Sequence, residues 1–121
     1  MHTAIINIKN LRLRTYIGFN PEELQKQQDI IVNAEIHYPA DLACKTDNEK
    51  NAVNYKVITK NMINLVEKGQ FKLLEKLAAQ LLVIALEHQS VMFARVSVDK
   101  PHALRFADSV SITMESSKKP E

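Results

Sequence analysis

The sequence predicts an α+β fold in which two strands, two helices and two further strands follow one another, order ββααββ. Alternation of apolar and polar residues with a period of two marks both ends of the chain, and a 3.6-residue apolar period marks the middle. Paired strands at each end imply a four-stranded antiparallel sheet with the two helices on one face.

Taken in order, Ile6 and Ile8 alternate with polar neighbours, and Leu11 and Leu13 do the same after a change of parity at Lys9-Asn10. That change predicts one strand with a β-bulge near Asn10. Ile30, Val32, Ala34, Ile36 and Tyr38 alternate with Ile31, Asn33, Glu35 and His37, a half-buried strand ended by Pro39. A loop from Asp41 to Asn51 follows. Asn54 is placed to cap a helix carrying Val57, Ile58, Met62, Leu65 and Val66, with Gly69 at its C-terminal end. A second helix is expected from about Phe71 to His88, then strands Val91–Asp99 and Ser109–Met114. The tail from Ser116 to Glu121 is polar and expected to fray. Helices on one side leave the other face and both sheet edges needing cover, and an oligomer that continues the sheet between subunits would supply it.

Composition narrows the function classes. With 121 residues, 45% apolar and 25% charged, the chain reads as one domain, 1–121, with a single core. A net charge of +2 with dispersed basic residues lacks the footprint of a nucleic-acid binder. No apolar run reaches the roughly 18 residues of a membrane span. Met1-His2-Thr3-Ala4 runs straight into strand residues without the features of a secretory signal, and Cys44 is the single cysteine, so a reducing cytoplasm is expected. His2, His37, His88 and His102 have no metal-ligand spacing, and two glycines are too few for a glycine-rich phosphate loop.

Four residues stand out chemically. Lys100 is expected where an apolar strand ends, and Pro101 biases it towards an extended backbone, so its direction is restricted. Glu75 falls within the apolar stripe Phe71, Leu74, Ala78, Leu81, Leu82 and Ala85. A carboxylate there needs either a cationic partner, a position at the stripe's edge, or a ligand presenting two N–H donors. Tyr55 sits in the first turn of the first helix, as a packing aromatic or a site residue. Glu23, in Asn20-Pro21-Glu22-Glu23-Leu24, is by itself an acidic residue in a turn.

Tyr16-Ile17-Gly18 with Glu23, Val53-Asn54-Tyr55, Leu73-Leu74-Glu75-Lys76-Leu77-Ala78 and Lys100-Pro101 together resemble the dihydroneopterin aldolase family, from Ile6 to Thr113. Within it, Lys9 to Thr15, Ile36 to Asp41, His102 to Arg105 and Ala107 to Ser111 are most similar to the branch that epimerises C2' of dihydroneopterin triphosphate. The resemblance implies the tunnelling fold (T-fold), with sheets joined into tetrameric rings, two rings stacked into an octamer, and sites between subunits. It implies Lys100, Tyr55 (from a neighbouring subunit) and Glu23 as catalytic residues. Glu75 would anchor the pterin, helped by the backbone at Leu74, with Val53 and Asn54 beside it. No cofactor and no metal are implied.

The chemistry implied is a retro-aldol cleavage without Schiff base. Loss of the 2'-hydroxyl proton breaks C1'–C2', with the C6=N5 imine as electron sink and Lys100 as base, which requires a partly neutral lysine. Re-addition of the aldehyde on its opposite face is epimerisation. Protonation of the enamine, assisted by Tyr55, is the aldolase outcome, giving 6-hydroxymethyl-7,8-dihydropterin and glycolaldehyde. A non-catalytic pterin-binding oligomer is a third reading. Arg12, Arg14, Arg95, Arg105 and His102 are candidates to hold a triphosphate, since arginine binds phosphate in bidentate fashion.

Overall fold

The computed structural model describes residues 2–118. Its elements are β1 (Thr3–Ile17), α1 (Pro21–Gln25), β2 (Gln28–Pro39), α2 (Asp41–Thr46), a 3-10 turn (Glu49–Asn51), α3 (Tyr55–Lys68), β3 (Gln70–Phe71), α4 (Leu74–Leu86), β4 (Phe93–Lys100) and β5 (Val110–Ser117). They form one five-stranded sheet of order β3-β1-β2-β4-β5, antiparallel except for the short β1–β3 pairing. Among the described residues, no helix is long and apolar enough to cross a membrane.

The fold is α+β as expected, but among the described residues the sheet has a fifth strand and there are four α-helices. Phe71 leaves the expected second helix and, with Gln70, pairs in parallel with Tyr16 and Ile17, so α4 begins at Leu74. It ends at Leu86, and the His88 ring instead accepts from the Ser90 amide at 3.1 Å. The segment expected as a loop from Asp41 to Asn51 folds into α2 and the 3-10 turn, separated by Asp47 in left-handed backbone at φ 53°. Ser116 and Ser117 pair with Ala94 and Phe93 instead of fraying, and the rest of the expected frayed tail, 119–121, lies outside the described residues.

The bulge is where the alternation placed it. The β1–β2 register shifts between Ile8 and Leu11, and Asn10 takes φ 52°. The extra residue restores parity, so Ile6 and Ile8 face the same side as Leu11 and Leu13, opposite Ile36, Ala34, Val32 and Ile30. Side chains bridge the bulge, with the Asn10 amide donating to Asn33 Oδ1 at 2.8 Å.

That face carries the core. Ile30, Val32, Ala34 and Ile36 of β2 and Ala94, Val96 and Val98 of β4 are buried and cross-strand paired. They pack under Ile58, Met62 and Val66 of α3 and Leu77, Ala78, Leu81 and Ala85 of α4. Asn54 caps α3 as expected, accepting from the amides of Lys56 and Val57. Gly69 ends it for reasons of space, because a Cβ there would lie 2.4 Å from the Phe71 ring and 2.8 Å from the Leu65 carbonyl. Gly69→Ala therefore forces Phe71 out of place, and urea unfolding is expected to show a loss of about 1–3 kcal/mol.

Candidate active site

The site grows from the turn between β1 and α1. Gly18 has φ 123°, a conformation side chains rarely adopt, and its amide donates to the Phe71 carbonyl at 2.8 Å. A Cβ on Gly18 would sit 2.1 Å from the Glu23 carboxyl carbon, so glycine is required there twice over. Asn20 then caps α1 in a capping box: its side chain accepts from the Glu23 amide at 2.9 Å, and Glu23 Oε1 accepts from the Asn20 amide at 3.4 Å. Pro21 at the first helical position suits the same turn.

The other oxygen of Glu23 faces Lys100. Lys100 Nζ donates to Glu23 Oε2 at 2.5 Å, and the two side chains are only 15% and 19% exposed. Gln28 Nε2 donates to the same oxygen at 3.3 Å and to the Ile17 carbonyl at 2.6 Å. The Lys100 hydrogen bond holds the Glu23 carboxyl below the ordinary carboxylate range; Gln28 and the Asn20 amide act in the same direction and burial against it. The charged neighbour that Lys100 faces is thus a carboxylate and not a cation, and both side chains are largely withdrawn from solvent. Any proton exchanged at this place would involve both groups. The group can hold one proton between a carboxylate and an amine, donate from nitrogen and accept at oxygen.

Three neighbouring cavities lie at or near the pair. One of about 360 Å³ is lined by Glu23, Gln28, Lys100 and His102 among others. A second, of about 210 Å³, shares Lys100, Gln28 and His102 and adds Arg14 and Asp29. A third, of about 590 Å³, is lined by Arg12, Arg14, Asp29, Glu67, Pro101 and His102 among others.

The other expected site residues are not brought to this place within one chain. Tyr55, 54% exposed, begins α3 and lines a separate shallow cavity with Lys56, Thr59 and Ile63. Val53 is buried in the core, and the Asn54 side chain is engaged in its cap. Glu75 is corrected from core-facing to exposed. With Phe71 in β3, the buried stripe runs through Leu77, Ala78, Leu81 and Ala85, and Glu75 stands roughly 100° from its centre. It lies in the first turn of α4, whose N-terminus at Leu73 no side chain caps. Arg95 is bound to Glu35 at 3.2 Å and Glu115 at 3.0 Å on the sheet face away from the helices, and Arg105 lies over the exposed Phe106 ring in the β4–β5 loop. Among the described residues, no group of three or more His, Cys, Asp or Glu side chains is gathered closely enough to hold a metal ion.

Gln28 is the site residue that the sequence reading missed, and nothing local marks it. The Asn20–Glu23 spacing, by contrast, carries a legible capping-box signature.

An α+β fold that brings a paired lysine and glutamate to the end of a strand, beside polar cavities, has the groups needed to exchange a proton with a small molecule. The family whose description is dihydroneopterin aldolase (FolB) matches residues 6–115, and the chain belongs to that family. It is 55% identical over 111 residues, 92% of each chain, to the curated dihydroneopterin triphosphate 2'-epimerase of Escherichia coli K12. It is 48% identical over 92% of its length to the enzyme of that name from Pseudomonas aeruginosa, covering 90% of that protein. Identity to the E. coli dihydroneopterin aldolase is 25% over 92% of this chain and 91% of that protein. The crystal structure of E. coli dihydroneopterin aldolase with neopterin superposes with a TM-score of 0.87 at 25% identity, covering 93% of this chain and 98% of that one.

The ion pair has a signature in acid. A carboxyl whose folded value is depressed contributes its stability above the ordinary range and loses it as pH falls through the depressed value. Glu23→Gln is expected to be less stable than the wild type near neutral pH, with the gap closing below about pH 4. Urea unfolding of both proteins at several pH values measures it; a gap that stays constant would show that the pair does not act this way.

Proposed function

We propose that this protein inverts C2' of 7,8-dihydroneopterin triphosphate, yielding dihydromonapterin triphosphate by retro-aldol cleavage and re-addition. The observation that carries the reading is the 55% identity to curated 2'-epimerases against 25% to an aldolase, in a chain that keeps Glu23 and Lys100 in contact.

In this mechanism the 2'-hydroxyl proton passes to the Glu23–Lys100 pair, directly or through one water. The C1'–C2' electrons form a C1'=C6 double bond, the C6=N5 electrons move to N5, and N5 takes a proton. The aldehyde turns over and re-adds, the same steps run backwards, and C2' emerges inverted. The pterin ring is held by Glu75, accepting two parallel N–H bonds, and by the uncapped backbone amide at Leu74. Tyr55 acts on the enamine. Neither metal nor Schiff base takes part.

Tyr55 and Glu75 do not line the Lys100 cavities of their own chain, which supports a site completed by a second subunit. The outer edge of β5 and most of the outer edge of β1 have no partner strand among the described residues. We place the protein in an octamer of two stacked tetrameric rings, in the tunnelling-fold manner, in the cytoplasm. Mixing tests this. Lys100→Met and Tyr55→Phe proteins should each be impaired, with kcat for the lysine variant down roughly 10²–10⁴-fold. Dissociating and reassembling the two together should restore part of the activity, because some sites then combine an intact Tyr55 with an intact Lys100. No recovery on confirmed subunit mixing would mean that each chain supplies both.

The reaction itself is tested by incubating the protein with dihydroneopterin triphosphate and, separately, dihydroneopterin, then oxidising and resolving the pterins. Mainly threo product from the triphosphate is expected. Mainly 6-hydroxymethyl pterin from the unphosphorylated compound would make it an aldolase, the activity for which the family is named. Glu75→Gln should lose pterin binding while the assembly stays intact; unchanged binding with a gain in stability would overturn its anchoring role.

A further inference from the structure

We infer that the cavity lined by Arg12, Arg14 and His102 is the subsite that holds the substrate's triphosphate, an inference that rests on the epimerase reading. Gln27 and His102 line this cavity and both cavities at Lys100, so the three adjoin one another. The register explains why. Arg14 pairs with Asp29 across β1–β2, and Ile31 pairs with Asp99 across β2–β4. Arg14 and the end of β4 therefore lie at one end of the sheet, two strands or roughly 10 Å apart. Arg12, two residues before Arg14, faces the same side.

The donors are disposed for a polyanion. Arg14 is oriented from behind, with Nη2 donating to the Gln27 carbonyl at 2.9 Å and Nη1 lying 3.3 Å from Asp29, which leaves Nε–H to a ligand. Arg12 has no ion-pair or hydrogen-bond partner among the described residues. Asp29 and Glu67 also line the cavity, and Asp29 is already paired with Arg14. A ligand with several anionic oxygens can engage Arg12, Arg14 and His102 together, which a terminal hydroxyl cannot. Arg95 and Arg105 do not line these cavities, and Arg95 is already paired with Glu35 and Glu115.

The consequence is chemical. Cleavage of C1'–C2' leaves the triphosphate on the aldehyde fragment, so a grip on phosphate retains that fragment while its carbonyl turns over. The subsite then sets the partition of the enamine between re-addition and protonation.

The test is an Arg12→Gln/Arg14→Gln double variant, with Lys45→Gln/Lys50→Gln as a control for equal loss of charge. The Arg variant should raise KM for dihydroneopterin triphosphate roughly ten- to a hundredfold, lose most of the preference for it over dihydroneopterin, and release more 6-hydroxymethyl pterin. Inorganic tripolyphosphate should compete with the triphosphate in the wild type and lose that effect in the Arg variant. A wild type that prefers the triphosphate, with an Arg variant that keeps this preference, overturns the subsite alone. So does a control variant that loses the preference equally. A wild type that shows no preference overturns the epimerase reading itself.

Discussion

The register of β2 is the constraint on which both the core and the site depend. β2 is paired on both edges, with Val32 opposite Leu11 on one side and Val98 on the other. A slip of one residue would turn Ile30, Val32, Ala34 and Ile36 away from the helices and abolish the core. The same slip would turn the first residue of β2, Gln28, away from Glu23 and Lys100. Burial of the aliphatic face thereby fixes a polar site at the strand's end, without a separate device to hold it.

Glu23 serves several neighbours. One oxygen receives the amides of Phe19 and Asn20 and so completes the cap of α1; the other receives Lys100 and Gln28. A largely buried ion pair is no guarantee of stability, because desolvation offsets most of the Coulomb attraction unless further hydrogen bonds satisfy it. Here those bonds are present, and Gly18 leaves the carboxyl room to make them. The pair's position at a cavity mouth, not an energetic gain, is the reason to read it as machinery.

Local signals in the sequence were legible because local physics decided the outcome. The parity change at Lys9-Asn10 located the bulge, Asn54 located the start of α3, and Lys100 was placed at the end of β4. What was not legible depended on contacts between distant segments. Phe71 fits a helical stripe with Leu74 and Ala78, but pairing with Ile17 and burial under Gly69 drew it into β3. Losing Phe71 narrowed the stripe, and Glu75 moved to the surface as a result. The contact between Glu23 and Lys100, 77 residues apart, has no local signature either; only the resemblance to a family put them together beforehand.

The exposure of Glu75 changes what its carboxylate can do. Inside a single chain's core it would need a permanent partner, and it would be neutral or paired before any ligand arrived. At the uncapped first turn of α4 it remains hydrated until something covers it, and the neighbouring backbone amides remain free as donors. A planar ring presenting N–H groups beside a carbonyl satisfies both at once. A second subunit closing over that turn would remove the water and strengthen each bond. If the proposed ring forms, the same closure would bring an exposed Tyr55 to a foreign Lys100, and binding and catalysis would become competent together.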